Sequence, residues 1–196
     1  YGGNLFLSLL WRTTLSPMAL EGLSLAMGVA TARAISEIGV TDVWVKWPND
    51  LLWNQRKLGG ILLEMSGEAS GPCFVVMGIG INMHMPDKES ELIDQPWVDI
   101  KSILPDVEVS RNRLTALVLQ NVFHVLKEFQ ETGIASILNE WRQRDLVTGQ
   151  QVDLHLPDRL LSGKVVGIDE RGALMLQSED GIKSYSSGDV SLRVRA

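Results

Sequence analysis

The sequence predicts an α+β protein, with a mixed, mainly antiparallel sheet covered by helices and a small β-barrel after it. Three observations carry this. Between Asp42 and Met83 the hydrophobic period is two and the connections are short, which favours an antiparallel meander over βαβ crossovers. Two longer stretches, Leu20 to Ile38 and Leu114 to Phe129, carry apolar residues at helical spacing. After Asp145 come five short strand candidates separated by turn residues, the texture of a small barrel.

Taken in order, Asn4 to Arg12 places Leu5, Leu7, Leu9 and Trp11 on one parity and reads as a strand. Ser16 is an N-cap with Pro17 at the first helical position, where proline's missing N–H costs nothing. One helix is predicted from there through Leu20, Leu23, Met27, Ala30, Ala34 and Ile38, closed by Gly39. Val43, Val45 and Trp47 then share a strand face opposite Asp42, Trp44 and Lys46, until Pro48 ends or bulges the ladder. Leu51 to Trp53, a turn at Asn54-Gln55-Arg56, Lys57 to Ser66, a turn over Gly67 to Pro72, and Cys73 to Met83 continue the meander. Pro86 to Pro105 is a polar cover segment with Pro96-Trp97 as an anchor.

Ser110 caps a second helix with the stripe Leu114, Leu117, Val118, Val122, Val125, Leu126 and Phe129, ending at Gly133. Ile134 to Arg142 is a shorter one. The barrel strands are Gln151 to Leu156, Leu160 to Ile168, Ala173 to Gln177, Ile182 to Tyr185 and Val190 to Val194, with turns such as Glu170-Arg171-Gly172 and Ser187-Gly188-Asp189 between them. The change of texture puts the boundary near Leu146 to Gly149, giving domains 1–146 and 147–196.

Composition narrows the function. A net charge of −6 disfavours phosphate-backbone binding, so no nucleic acid partner is expected. Apolar runs such as Ile61 to Leu63 or Phe74 to Met77 fall far short of the ~20 residues that span a bilayer, so no transmembrane helix or membrane partner is expected. The single cysteine, Cys73, excludes an internal disulfide and fits a reducing, cytoplasmic setting. Tyr1 to Arg12 has no signal-peptide pattern and reads as a strand under way, so the chain is expected to begin inside a domain.

Within Cys73 to Met83 the odd positions Val75, Met77, Ile79 and Ile81 are large and apolar, while Gly78, Gly80 and Asn82 share the other parity. Glycine weakens a strand, so two on one face mark close approach of a ligand or of another backbone; Gly59-Gly60 makes a second bare patch open to the same two readings. Lys46 lies in an otherwise apolar strand and needs an anion, either a structural carboxylate such as Asp42 or Asp50, or a substrate phosphate or carboxylate. Asn49 and Asp50 follow a proline turn, where such residues commonly stabilise their own backbone. Met83 stands where a dinucleotide fingerprint needs glycine, and there is no P-loop or G-x-S-x-G elbow. His84, His124 and His155 share no spacing, so no metal site is expected.

KWPNDL (Lys46 to Leu51), KLGGIL (Lys57 to Leu62) and GIGINM (Gly78 to Met83), in this order and at these separations, resemble the biotin protein ligases, specifically the bacterial biotin–[acetyl-CoA-carboxylase] ligases. The resemblance covers essentially the whole chain. It implies a catalytic sheet like that of lipoate-attaching enzymes followed by an SH3-like barrel. It also implies ATP, biotin and Mg²⁺ as ligands, biotinyl-5′-AMP as intermediate, and biotin carboxyl carrier protein, an acetyl-CoA carboxylase subunit, as acceptor and partner. Homodimerisation through the sheet is a further implication.

By the same resemblance Lys46 matches a lysine that contacts biotin and the phosphate, and is the catalytic candidate. Gly59, Gly60, Gly78 and Gly80 line the adenylate groove, Asn82 reads the adenine or ribose edge, and Asn49 and Asp50 support Lys46 and the Mg²⁺-bound pyrophosphate. Family members carry a Gly/Arg-rich loop just before the segment matching Gly2-Gly3-Asn4-Leu5, and some begin with a helix-turn-helix repressor domain. This sequence starts just after the position of that loop, so the chain is expected to be the C-terminal part of a ligase. A lipoate or octanoate ligase of the same fold, and a non-catalytic module that senses biotinyl-AMP, are the alternative readings.

Overall fold

The structure, a computed structural model, describes residues 3–67, 73–85, 95–187 and 190–195. Outside the described residues lie the expected turn at 68–72, the part 86–94 of the cover segment, Gly188-Asp189 of the last turn, and Tyr1-Gly2. The first sheet comprises β1 (Leu5–Thr13), β2 (Val43–Lys46), β3 (Asp50–Trp53), β4 (Arg56–Gly67) and β5 (Cys73–Ile81), in the order β1-β5-β4-β3-β2. All four of its ladders are antiparallel; among the described residues, parallel pairing occurs at the isolated bridges Val45 with Asp145 and Lys57 with Trp97.

The alternation read from the sequence is the alternation observed. In β5, Cys73, Val75, Met77, Ile79 and Ile81 are buried, and the residues between them are not. The β3–β4 hairpin closes through Asn54 and Gln55, both at positive φ, a two-residue turn whose twist matches the strands it joins.

Behind the core face lies helix α1 (Leu23–Glu37), against β2, β3 and β4. The single helix expected from Ser16 onward is broken. Ser16 caps a 3₁₀ turn at Pro17–Leu20, and α1 starts afresh after Gly22, whose φ of +78° is left-handed and halts the first turn. By length and composition the segment Pro17–Glu37 could cross a membrane, which inspection of short apolar runs misses; 72% of its most apolar window is buried inside the fold, as in a core helix.

A one-turn helix α2 (Ile100–Ile103), capped by Asp99, ends the cover segment. Helix α3 (Arg111–Thr132), capped by Ser110, lays the expected stripe on α1 and ends at Gly133. A 3₁₀ turn at Gly133–Ser136 and helix α4 (Leu138–Arg144) replace the single short helix expected there.

The second sheet holds β6 (Gln151–His155), β7 (Leu160–Ile168), β8 (Leu174–Ser178), β9 (Gly181–Tyr185) and β10 (Ser191–Val194), all antiparallel in the order β10-β6-β7-β8-β9. These are the five strands expected of an SH3-like barrel, and no ladder joins β9 to β10 among the described residues, so the barrel is open there.

Polar contacts fasten the helices to the sheet edge. Arg33 on α1 reaches Glu140 on α4 at 2.6 and 3.0 Å, Arg144 reaches the same carboxylate at 3.2 Å, and Arg144 also donates to the Val43 carbonyl at 3.2 Å. Burial opposes ionisation of Glu140, but the hydrogen bonds and charges of Arg33 and Arg144 outweigh it and hold the carboxyl below its ordinary range. A depressed carboxyl stabilises the fold above its unfolded pKa and loses that contribution as pH falls through its folded one. Glu140→Gln is therefore expected to cost about 1–2 kcal/mol at neutral pH. In urea denaturation the gap to wild type should close as pH is lowered to about 3, below the ordinary glutamate value; a gap independent of pH would place the stabilisation elsewhere.

Candidate functional site

Strand register lays the candidate residues across the whole first sheet. Phe6 pairs with Gly80, Gly80 with Gly60, Gly60 with Asp50 and Asp50 with Lys46, so one row crosses five strands on the face away from α1. Its centre is bare backbone, one end is an aromatic ring 83% exposed, and the other end is charged. The next row sets Ser8 and Leu62 on either side of Gly78. Apart from Lys46, these residues, with Asn49 and Lys57, line a groove of about 350 Å³. A Cβ added at Gly60, Gly78 or Gly80 would meet nothing closer than 3.5 Å, an ordinary van der Waals contact, so none of the three is pressed against backbone.

Gly59 does not belong to that surface. It lies in the neighbouring row Leu5–Ile81–Gly59–Leu51–Val45, whose other four members are all buried. A Cβ there would collide with the Gly80 carbonyl oxygen, so Gly59 serves close backbone approach and not a groove floor. Close backbone approach is thus realised at Gly59, while Gly60, Gly78 and Gly80 form a bare face.

At the charged end, Asp50 takes Lys57 on one carboxylate oxygen at 2.5 Å and Lys46 on the other at 3.5 Å. The anion for Lys46 is thus Asp50 and not Asp42. Burial drives the Lys46 pKa below the ordinary lysine value; Asp50 works in the other direction, and the charges of Arg193 and Lys57 add to the lowering. Lys46, Asp50 and Lys57 open into a cleft of about 430 Å³ that Arg193 and Arg195 of the second sheet also line. Arg195 is itself engaged by Asp153. Lys57 borders both the glycine groove and this cleft, whereas Lys46 borders the cleft alone.

Sequence parity assigned no site role to Lys57 or Arg193. A bulge is responsible for the first: Leu51 pairs with Gly59 but Leu52 with Lys57, so Leu58 is an extra residue and Lys57 is turned from the parity of Gly59 onto the face of Asp50. The signal was the charge before the Gly-Gly pair, within the KLGGIL motif itself. Arg193 comes from β10 and has no local signal.

The side-chain amide nitrogens of the supporting asparagines are engaged with backbone carbonyls. Asn49 donates its amide to the Ile61 carbonyl at 2.8 Å while its own carbonyl accepts from the Ile61 N–H at 2.8 Å, and the Pro48 carbonyl accepts from Ser24 Oγ. Asn82 donates to the Lys57 carbonyl at 3.2 Å and the Val98 carbonyl at 3.1 Å. Its amide nitrogen is occupied in holding the start of β4, so it does not offer those donors to an adenine or ribose. His84, His124 and His155 stay apart from this site, and no cluster of three potential metal ligands occurs among the described residues.

Comparison with known proteins adds to this geometry. Residues 1–82 match the biotin/lipoate A/B protein ligase family, and residues 147–193 match the biotin protein ligase C-terminal domain. The chain is 36% identical over 193 residues to the bifunctional ligase/repressor BirA of Escherichia coli, covering 98% of this chain and 60% of that protein. With the biotin–[acetyl-CoA-carboxylase] ligase of Paracoccus denitrificans it shares 30% identity over 172 residues, 87% of this chain and 67% of the other. The chain spans about 60% of the length of the first of these relatives. Among solved structures, the biotin protein ligase from Aquifex aeolicus in complex with biotin and ATP aligns with a TM-score of 0.82 at 29% identity, over 98% of this chain and 79% of that one.

The two kinds of glycine are separable by experiment. Gly59→Ala forces a methyl into a backbone oxygen and is expected to cost about 1–3 kcal/mol in urea denaturation. Gly78→Ala, whose methyl would make only ordinary contact with Leu62, should be neutral or stabilising by up to about 1 kcal/mol. Equal costs would contradict the assignment of faces.

Proposed function

The chain belongs to the biotin protein ligases, and from that membership we propose that it activates biotin with ATP as biotinyl-5′-AMP and passes the biotinyl group to a lysine of a biotin carboxyl carrier protein in the cytoplasm. The observation that carries this reading is the single cross-strand row: a bare floor that admits a flat, thin ligand, ending in two ammonium groups that share one carboxylate. The ureido ring and valeryl chain lie over Gly80, Gly78 and Gly60, where no side chain intervenes. Their carboxylate then points along the row toward Lys57.

Activation is a displacement at phosphorus. A biotin carboxylate oxygen attacks the α-phosphorus of ATP, the P–O bond to the β-phosphate breaks, and pyrophosphate leaves. Lys57, at the junction of groove and cleft, stabilises the charge that develops on the α-phosphate oxygens. Lys46 and Arg193 hold the departing phosphates in the cleft. In the second step a neutral acceptor lysine attacks the acyl carbon, AMP departs, and the amine's proton is lost to solvent. Neither step needs a nucleophile from this chain, consistent with the sequence containing no such motif.

Mg²⁺ enters this scheme on the nucleotide. Asp50 is held between two lysines, and the described residues offer no carboxylate cage, which suits an ion that keeps its waters and is carried by phosphates. Its chemistry is neutralisation of phosphate charge, while Lys46, Lys57 and Arg193 orient the anions. We take residues 1–146 as the ligase domain and 147–196 as the C-terminal domain that contributes Arg193.

The test is incubation of the full-length protein with biotin, Mg-ATP and an acceptor domain, following pyrophosphate release and the mass of the acceptor. Adenylate formation and a biotinyl mass gain are expected, with lipoate and octanoate inactive; the absence of both products would overturn the reading. Lys57→Ala is expected to lower adenylation by about tenfold or more, equivalent to ~1.4 kcal/mol, and to weaken biotin binding. Lys46→Ala should raise KM for ATP and spare biotin affinity, because it borders only the cleft. Equal effects of both variants on biotin binding, measured by calorimetry, would refute this division of roles.

A further inference from the structure

Lys46 is bracketed on both sides by the C-terminal part of the chain. On its N-terminal side, the Val45 carbonyl accepts from the Leu146 N–H at 3.2 Å, and Val45 bridges to Asp145. On its C-terminal side, the Trp47 indole N–H donates to the Gly172 carbonyl at 3.1 Å, and Trp47 is fully buried.

Gly172 lies in the turn between β7 and β8, and that turn is internally fixed. The Asp169 carboxylate accepts from the N–H groups of Arg171 and Ala173 at 2.9 and 3.0 Å, while the Asp169 backbone bonds to Gly172 and Ala173. The turn is seated where side chains would not fit: a Cβ on Gly172 would stand 2.8 Å from Ile134 and 3.1 Å from the Cα of Gly22, and both glycines hold a positive φ. A rigid acceptor is thus delivered to one buried donor, next in sequence to the lysine of the phosphate cleft.

We propose that Trp47 and the Gly172 carbonyl form a latch through which the second sheet holds Lys46 in the cleft, making Trp47 a positioning residue for nucleotide activation. Resting on the ligase reading above, the proposal accounts for a tryptophan where packing alone would accept phenylalanine. The ring fills the core in either case; only the indole supplies the N–H. Loss of that bond leaves the Gly172 carbonyl buried without its partner, a cost relieved by moving the turn or the strand. Lys46 moves with the strand, while Lys57, tied through β4 to Pro96, Val98 and Asn82, does not.

The test is Trp47→Phe in the full-length protein, read in two ways. Kinetically, KM for ATP should rise by about fivefold or more while the Kd for biotin changes less than about twofold, the split expected of a misplaced nucleotide contact. Independently of activity, pH-dependent competitive acylation read by mass spectrometry should show the Lys46 amine titrating higher than in wild type, because the displaced side chain regains water. The charged groups facing it, Asp50 on β3, Lys57 on β4 and Arg193 on β10, are unchanged, and Arg195 in the same cleft remains on Asp153. Gly172→Ala, which keeps the indole but displaces the acceptor, should give the same pattern.

An unaltered Lys46 titration would overturn the latch. So would a loss of biotin affinity in parallel with the rise in KM for ATP, which would make Trp47 a general core residue. A wild-type protein that forms no adenylate would remove the ligase reading and leave the Lys46 titration to decide the latch.

Discussion

Two ammonium groups brought to one cleft repel each other, and each loses hydration as it is covered. Lys46, with 15% of its side chain exposed, could not be held beside Lys57 without an intervening anion. Asp50 meets this constraint by giving one oxygen to each lysine, so three formal charges sum to one positive charge instead of two. With Arg193 added, the cleft stays cationic enough to favour a polyanion but does not force its own strands apart. The register of the sheet follows from this arrangement. Lys46 must stand opposite Asp50 across the β2–β3 ladder, and Lys57 must be turned to the same face, which a regular ladder would not do. The bulge at Leu58 is the structural consequence.

Parity and turn chemistry made most of the fold legible. Alternation in β1 and β5, the Ser110 cap, the stripe of α3 and the five strands after Asp145 are all local patterns, and local patterns survive tertiary packing when every level agrees. The helix from Ser16 was misjudged where levels disagreed. Apolar spacing runs through Gly22, but that residue holds a left-handed φ and a side chain on it would meet Ile134 and the Arg171 carbonyl. No window of sequence around Gly22 contains Arg171 or Gly172.

The site was legible to the same depth. Gly60, Gly78 and Gly80 could be placed on a bare face because they obey the strand period. Lys57 lies beyond a bulge, so counting from Gly60 puts it off the site face, while Gly59 was given to the groove by the family resemblance and only its approach to the Gly80 carbonyl shows it packed against backbone. Asn82 has the chemistry to read a base, and only its distances to the Lys57 and Val98 carbonyls show those donors already in use. Arg193 reaches the cleft from the far end of the chain, a contact that depends on how two sheets meet.

Adjacent cross-strand rows divide the work of this sheet. The row Leu5–Ile81–Gly59–Leu51–Val45 is buried and supplies cohesion; the row Phe6–Gly80–Gly60–Asp50–Lys46 exposes an aromatic ring, strand glycines and ions, all of which weaken an isolated sheet. Each strand glycine forfeits about 0.5–1 kcal/mol relative to alanine. A face of that kind persists only if the residues one step along every strand, and the elements packed behind them, over-determine the backbone. Trp47 belongs to both sets, since its ring is in the buried core while its backbone joins Lys46 to the loop that Ser24 and Ile61 hold. The indole N–H therefore connects the cohesive face of the first sheet to the second sheet through a single bond, and the residue next to Lys46 is anchored by a turn more than a hundred positions away in sequence.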